Sequence, residues 1–291
     1  MKQILVLSGK GGTGKTTISS ALIKLSNAKA FADCDVEAPN LHLINRGNPH
    51  ITSFDYWGMD KAVIEPSKCL GCNVCFSNCR FDAINRSVST FNRKHKYIIE
   101  PNKCEGCGVC EVVCPVNAIS LKPFKSGEIQ LYKEDYIFST AKLKMGSGTS
   151  GMLVTQVKKL LQGYGKNMEL AIIDGPPGVG CPVIASISGV DLVLLVAEPS
   201  KSGLSDLERV VKTIEIFKVP VVVCINKYDV NLEFTEKIEA FCLDSKIECI
   251  GRIPYDREVV RAVNQGVTIV DYESIAKNAV IEVYHNLMNV L

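Results

Sequence analysis

No stretch of this 291-residue chain approaches the roughly 20 consecutive apolar residues of a membrane span, so a spanning helix is not expected. An excess of one charge sign is also lacking. The 33 Lys and Arg residues face 31 Asp and Glu, a net of +2, so nothing global advertises nucleic acid or an anionic membrane as a partner. The apolar run Ile4-Leu5-Val6-Leu7 is too short for a secretory leader and runs straight into a glycine loop. It reads as a first core strand, and the protein is expected in the cytoplasm. Basic residues are sparse in the helix expected over about 274–291, where Lys277 is the sole Lys or Arg. Membrane-surface helices normally carry several. The face made by Ile275, Ala279, Val283 and Leu287 is therefore read as packing against a sheet, with no stable membrane anchoring.

Cysteine, by contrast, is abundant at 13 residues. Without an export signal, clustered cysteines point to metal rather than to disulfides, and to a reducing compartment. Eight of them form two runs of C-x2-C-x2-C-x3-C: Cys69, Cys72, Cys75, Cys79 and Cys104, Cys107, Cys110, Cys114. In such runs three thiolates serve one cubane and the fourth ligates the neighbouring cluster. That assigns Cys69, Cys72, Cys75 and Cys114 to a first [4Fe–4S] cluster, and Cys104, Cys107, Cys110 and Cys79 to a second. Each run has a glycine inside it (Gly71, Gly106) and Ala-Ile after it (Ala83-Ile84, Ala118-Ile119), giving an internal repeat about 35 residues apart. The pattern resembles a bacterial-type 2[4Fe–4S] ferredoxin. One departure is Arg80, which stands where Pro115 stands after the second run; its charge would shift the potential of the cluster tied to Cys79. Zinc is the alternative for C-x2-C pairs, and two complete four-cysteine runs favour iron–sulfur over it. Between the runs, Arg86 to Lys96, with Arg93-Lys94-His95-Lys96, reads either as a solvated loop or as a docking patch for an acidic redox partner.

Outside the segment 57–123 the pattern alternates between strand and helix. Near-continuous apolar runs at 170–173, 192–196 and 221–225 are strands buried on both faces, separated by helical patterns at 203–217 and 232–243. A hairpin is expected over 128–143 and a helix around 153–161. The expected fold class is α/β: a doubly wound, mostly parallel P-loop NTPase sheet (1–56 and 124–291) with a small α+β ferredoxin domain (57–123) inserted. Between the first strand and a helix over 16–25 lies the phosphate cradle Gly9, Gly11, Gly12, Thr13, Gly14, Lys15, Thr16 and Thr17. Its amides and the helix N-terminus would face the phosphates of ATP, with Lys15 reaching the β- and γ-phosphates and Thr16 ligating Mg²⁺.

Lys10 makes the loop K-G-G-x-G-K-T-T, which resembles the deviant P-loop of the MinD/ParA/Mrp class of ATPases. The resemblance implies that Lys10 reaches the nucleotide of a partner subunit in an ATP-dependent homodimer; an ordinary surface lysine is the alternative. It also implies that Asp35, in Asp33-Cys34-Asp35 with Asn40, positions the attacking water, and that Asp174 holds Mg²⁺. Gly178 would offer its N–H to the γ-phosphate, and Asn226 with the loop Ile253-Pro254-Tyr255-Asp256 would hold the adenine. Cys181 reads either as a buried small hydrophobe or as a transient cluster contact. The C-terminal C-x-x-C of cluster-carrying relatives is absent, Cys242 and Cys249 being too far apart. Three functions follow from the resemblance: an ATP-driven dimer switch coupled to low-potential electron transfer; an ATPase assembling or delivering an iron–sulfur or other metallocofactor; and a redox-sensing partitioning or scaffolding switch. The first two imply a redox or cofactor-assembly protein as partner.

Overall fold

Four apolar residues in a row can be buried only if a strand is covered on both faces, and Leu5, Val6, Ile173, Val193 and Val223 have no exposed surface. The computed structural model describes residues 1–44, 50–88 and 95–291. The basic segment Arg93-Lys94 lies outside them, as do the side chains of His95 and Lys96.

Along the chain, β1 (Lys2–Ser8) leads through the glycine loop into α1 (Lys15–Ser26), and β2 (Ala30–Asp33) follows. Next come β3 (His50–Trp57), β4 (Lys61–Ile64), α2 (Val74–Asn78), β5 (Ile84–Val88), β6 (His95–Ile99), α3 (Val109–Val112) and β7 (Ile119–Lys122). β8 (Lys125–Lys133) and β9 (Ile137–Leu143) precede α4 (Ser150–Tyr164), β10 (Leu170–Pro177), α5 (Cys181–Ile187), β11 (Leu192–Ala197) and α6 (Lys201–Glu215). The chain ends with β12 (Val221–Asn226), α7 (Leu232–Asp244), β13 (Glu248–Ile253), α8 (Arg257–Asn264) and α9 (Ile275–Val290).

The chain forms two compact units, Met1–Ser53 with Ile129–Lys142 and Gly151–Leu291, and Phe54–Glu128 with Leu143–Ser150. In the first, a mostly parallel sheet runs in the order β13-β12-β11-β1-β10-β2-β9-β8-β3. β1 lies between β10 and β11, with Val6 opposite Asp174, and Asp174 is in turn opposite Asp33 on β2. Parallel pairing thus brings the carboxyl ends of β1, β10 and β2 together, the edge where α/β sheets bind ligands. α9 packs Ala276, Val280, Val283 and Leu287 into the core, while Ile275 is 63% exposed. The buried stripe is therefore turned from the one the sequence pattern proposes, because Val280 fills the position between Ala276 and Val283. β13 was not foreseen: its sequence ECIGRI breaks apolar continuity with Gly and Arg, and pairing with β12 is what makes it a strand.

In the second unit the internal repeat is visible in the backbone. Positive φ occurs at Gly71 (73°) and Gly106 (66°), at Asn73 (71°) and Gly108 (77°), and at Asp82 (49°) and Asn117 (50°). The hydrogen bond from Cys69 N to Glu65 O (3.2 Å) has its counterpart from Cys104 N to Glu100 O (3.1 Å). Of two antiparallel pairs, β4–β7 joins the strand before the first cysteine run to the one after the second, and β5–β6 lies between the runs. The segment 143–150 is held to the second cysteine run by close approach of Gly146 to Asn102 and of Gly148 to Glu105.

Candidate functional site

The nucleotide loop is built around one carboxylate. Asp174 is fully buried and accepts from Lys15 Nζ (2.8 Å) and Ser19 Oγ (2.7 Å) at Oδ1, and from Thr16 Oγ1 (2.7 Å) at Oδ2. All three donors come from the first turns of α1, so Asp174 ties that helix to β10. Ser19 was not among the residues singled out from the sequence. Its signal was its spacing, one helical turn beyond Lys15 on the same face.

At the start of α1, Gly14 has φ 89°, and a Cβ there would lie 2.3 Å from Asn226 Nδ2. No side-chain hydrogen bond caps the helix at Gly14, and its first turn carries no acidic residue. Its amide groups remain suited to an anion. Asn226 Nδ2 donates to Thr13 O (2.7 Å), and Lys227 Nζ donates to Gly12 O (3.2 Å). Asn226 thus touches the loop itself, and Lys227 is a second brace that the Asn-Lys pair signalled only by position. An apolar pocket with about 690 Å³ of non-atom space, open solvent included, adjoins the loop. Gly14, Thr17, Asn226, Ile253, Val259 and Val263 are among its lining; Pro254 lies outside that lining.

Lys10 is turned toward its own chain, donating to Ser200 Oγ (3.1 Å) and Ser202 Oγ (3.2 Å) and pairing with Glu198 (3.1 Å). Lys227 also pairs with Glu198, at 3.1 Å. Burial by itself raises the Glu198 carboxyl, but the hydrogen bonds from the two lysines outweigh it and hold the group below its ordinary value. Gly178 N donates to Ser8 O (3.0 Å), so that amide must change partners before it can meet a phosphate.

The two aspartates at the end of β2, Asp33 within the strand and Asp35 just beyond it, differ in role. Asp33 is fully buried and accepts from the amides of Asp35 (3.0 Å), Asn40 (2.9 Å) and Leu41 (2.9 Å), which folds the loop around it. Burial, reinforced by nearby Asp174, pushes its carboxyl up to about 7 against the pull of the Leu41 and Asp35 amides and of the Lys15 charge. Asp35 is only partly buried, and burial raises its carboxyl as well. Gly9, Gly11, Gly12 and Thr13 lie in the loop between β1 and α1, and Lys15, Thr16 and Thr17 in the first turn of α1. Cys181 is exposed at the start of α5, contrary to its reading as a buried hydrophobe: the helix begins there and turns Val183 inward instead.

Lys158 on α4 is buried, donating to Ser186 O and, at 2.6 Å, to Ser188 O at the end of α5. Burial pushes its ammonium from the usual 10.5 down to about 8. Between those values the unfolded chain binds the proton that the folded chain has lost, so stability gains as pH rises through that window. Chemical denaturation at pH 8 and pH 9 will show the parent protein gaining on Lys158→Met over that interval. A constant difference would place Lys158 in contact with water.

In the second unit, Cys69, Cys72, Cys75 and Cys114 line one cavity with about 330 Å³ of non-atom space, open solvent included. Cys79, Cys104, Cys107 and Cys110 line another of about 360 Å³ on the same measure. Each cavity thus takes three cysteines from one run and the fourth from the other. Burial raises the Cys75 thiol, and the neighbouring Cys69, Cys72 and Cys114 add to it; burial likewise pushes Cys110 up to about 11, with Cys104 and Cys107 adding. Such thiols resist ionisation unless positive charge enters among them. Ala62 N donates to Cys104 Sγ (3.5 Å) and Ala118 N to Cys114 Sγ (3.3 Å). Among the described residues, no three His, Cys, Asp or Glu converge closely enough to hold a single metal ion.

The CobQ/CobB/MinD/ParA nucleotide-binding domain matches residues 4–269. The chain belongs to this family of P-loop ATPases. An uncharacterized protein of Methanocaldococcus jannaschii is 32% identical over 300 aligned positions, which cover 98% of this chain and 96% of that one. A protein of Pyrococcus horikoshii named iron–sulfur cluster carrier protein is 24% identical over 310 positions, covering 99% of this chain and 86% of that one. Among solved structures, the septum site-determining protein MinD of Pyrococcus horikoshii, complexed with Mg-ADP, aligns with a TM-score of 0.60 at 19% identity. It covers 99% of this chain and 96% of that one, and at such identity the likeness concerns the fold alone. No helix among the described residues is long and apolar enough to cross a membrane.

Proposed function

We propose that this family member is an ATPase whose nucleotide state controls electron delivery through two resident [4Fe–4S] clusters in an inserted ferredoxin domain. The observation that carries the reading is the pair of cavities, each lined by four cysteines drawn three and one from the two runs. That interleaving is what a two-cluster ferredoxin requires. A zinc site would instead draw its sulfurs to one centre at about 2.3 Å. Cys69, Cys72, Cys75 and Cys114 would hold one cluster, and Cys79, Cys104, Cys107 and Cys110 the other. Such clusters supply one-electron transfer at potentials set by charge and hydrogen bonding around the sulfurs.

At the nucleotide, Lys15 and the loop amides would bind the phosphates, while Thr16 and Asp174 hold Mg²⁺. Asp35 would orient the water, since Asp33 is committed to the backbone around it. Gly178 would leave Ser8 for the γ-phosphate, and Asn226 would face the adenine, with Val259 and Val263 beside it in place of Pro254. Lys10 would leave Glu198 to reach a second subunit. Both partners of that pair are partly solvated (31% and 25% exposed), so releasing it costs only about 0.2–1 kcal/mol. Lys10→Ala is therefore expected to bind a non-hydrolysable ATP analogue and remain a monomer in light scattering; a dimer as stable as the parent's would remove the lysine from the interface.

The second reading, cluster assembly or delivery, is favoured by the name of the Pyrococcus relatives. Against it, each cavity already has four cysteines, and burial raises the thiols of Cys224, Cys242 and Cys249, which suits inert core residues better than a delivery site. An anaerobic redox titration followed by EPR, with and without Mg-ATP, separates the two. Controlled electron delivery predicts that nucleotide moves at least one potential, by about 30 mV, roughly a threefold change for a one-electron couple. Unmoved potentials together with iron transfer to an apo-ferredoxin would establish delivery instead.

A further inference from the structure

We propose that Lys61 raises the reduction potential of the cluster held by Cys79, Cys104, Cys107 and Cys110, acting from outside its ligands. This rests on the resident-cluster reading above. Lys61 is 3% exposed, and its Nζ donates to the backbone carbonyl of Cys104. The next residue, Ala62, lines the same cavity and directs its N–H at Cys104 Sγ. Pairing of β4 with β7 fixes both residues in place, and the ring of Phe124 lies 6.0 Å from the ammonium. Among the described residues Lys61 forms no ion pair, and the contacts its ammonium makes are the Cys104 carbonyl dipole and the Phe124 ring face.

The physical consequence follows from charge. Reduction adds one electron and no proton to a group already surrounded by thiolates, and a buried cation favours the more negative state. Arg80, the charge that the sequence pattern brings forward, is exposed beside Cys79, where water and salt screen it. Glu105, the acidic residue lining the cavity, is exposed as well. Lys61 is the charge that burial leaves unscreened.

The test is anaerobic redox titration by EPR of the full cluster-loaded chain, with iron content measured alongside. Lys61→Gln keeps a donor for the Cys104 carbonyl and removes the charge; Lys61→Met removes both, and Lys61→Arg restores the charge. The expected result is a lowered potential for one cluster in Lys61→Gln and Lys61→Met. The size is about tenfold in the couple's equilibrium constant, or about 59 mV for one electron. The other potential stays fixed, iron content is retained, and Lys61→Arg recovers most of the shift. The cluster that moves must be the one whose signal Cys79→Ser perturbs, and Arg80→Gln should move it far less. Unchanged potentials at full iron content would overturn the proposal, as would a shift in the other cluster or an equal shift in Lys61→Arg. Loss of iron from both neutral variants but not from Lys61→Arg would also overturn it, since Lys61 would then serve retention. A parent chain that binds no clusters would instead sink the resident-cluster reading itself.

Discussion

Asp174→Ala will unfold about 6–20 °C below the parent protein in nucleotide-free buffer, the shift that about 3–5 kcal/mol produces in a domain of this size. The cause is Lys15. Its ammonium is 7% exposed and faces the fully buried Asp174 carboxylate at 2.8 Å, so truncating the acid leaves a buried cation unpaired. The hydroxyls of Thr16 and Ser19 lose their acceptor in the same step. Asp174→Asn will lose less stability, because an amide oxygen in the place of Oδ1 still accepts from Lys15 and Ser19. Both variants will lose at least about 10²-fold in Mg-ATP hydrolysis, the scale of removing a preorganised charged group from a reacting centre. ATP itself is a second check. A bound polyphosphate gives Lys15 a new counter-charge, so saturating ATP without magnesium should recover part of the Asp174→Ala deficit. A melting temperature within 2 °C of the parent would mean the pair is solvated and α1 is tied to the sheet by something else.

The second large effect concerns iron. Cys114→Ser is expected to abolish the cluster of Cys69, Cys72 and Cys75, although Cys114 lies in the other run and adjoins its own neighbours in sequence. The chain should fall from about eight irons to about four. Single variants alone do not show which cluster has gone, so the decisive comparison is a pair. If Cys72 and Cys114 serve one cavity, Cys72→Ser with Cys114→Ser will retain the same roughly four irons as either variant alone. Cys107→Ser with Cys114→Ser will lose nearly all. The reverse pattern would show ligation following the sequence runs rather than the cavities.

Much of the nucleotide site could be read from residue order, because a P-loop is a local device. Glycines, a lysine and a threonine between one strand and one helix need only short-range geometry, and the structure holds Gly9 to Thr17 in that context. Asn226 stands at the end of an apolar strand, which marks it in the sequence, but its hydrogen bond to Thr13 O joins residues 213 apart and came only with the fold. Pro254 was legible only as part of a loop, and the pocket takes Ile253 and the valines of α8 in its stead. Those valines carry no motif; they are apolar residues on a helix, and Val260 and Val263 face outward on a surface the pattern alone would leave blank. Cys181 was misplaced because a small residue in an apolar stretch has the same signature whether the helix turns it in or out.

By itself, then, the chain order determined the alternation of strands and helices, the phosphate loop and the two cysteine runs, all of which depend on spacing within a few turns. Only the tertiary structure decided that Lys10 rests on Glu198, that Asp33 and not Asp35 organises its loop, and that Lys61 is buried against Cys104. The two lysine contacts join residues far apart in the chain, the Asp33 contacts need a buried turn that spacing does not show, and burial sets the strength of a charge only once the fold has removed the water around it.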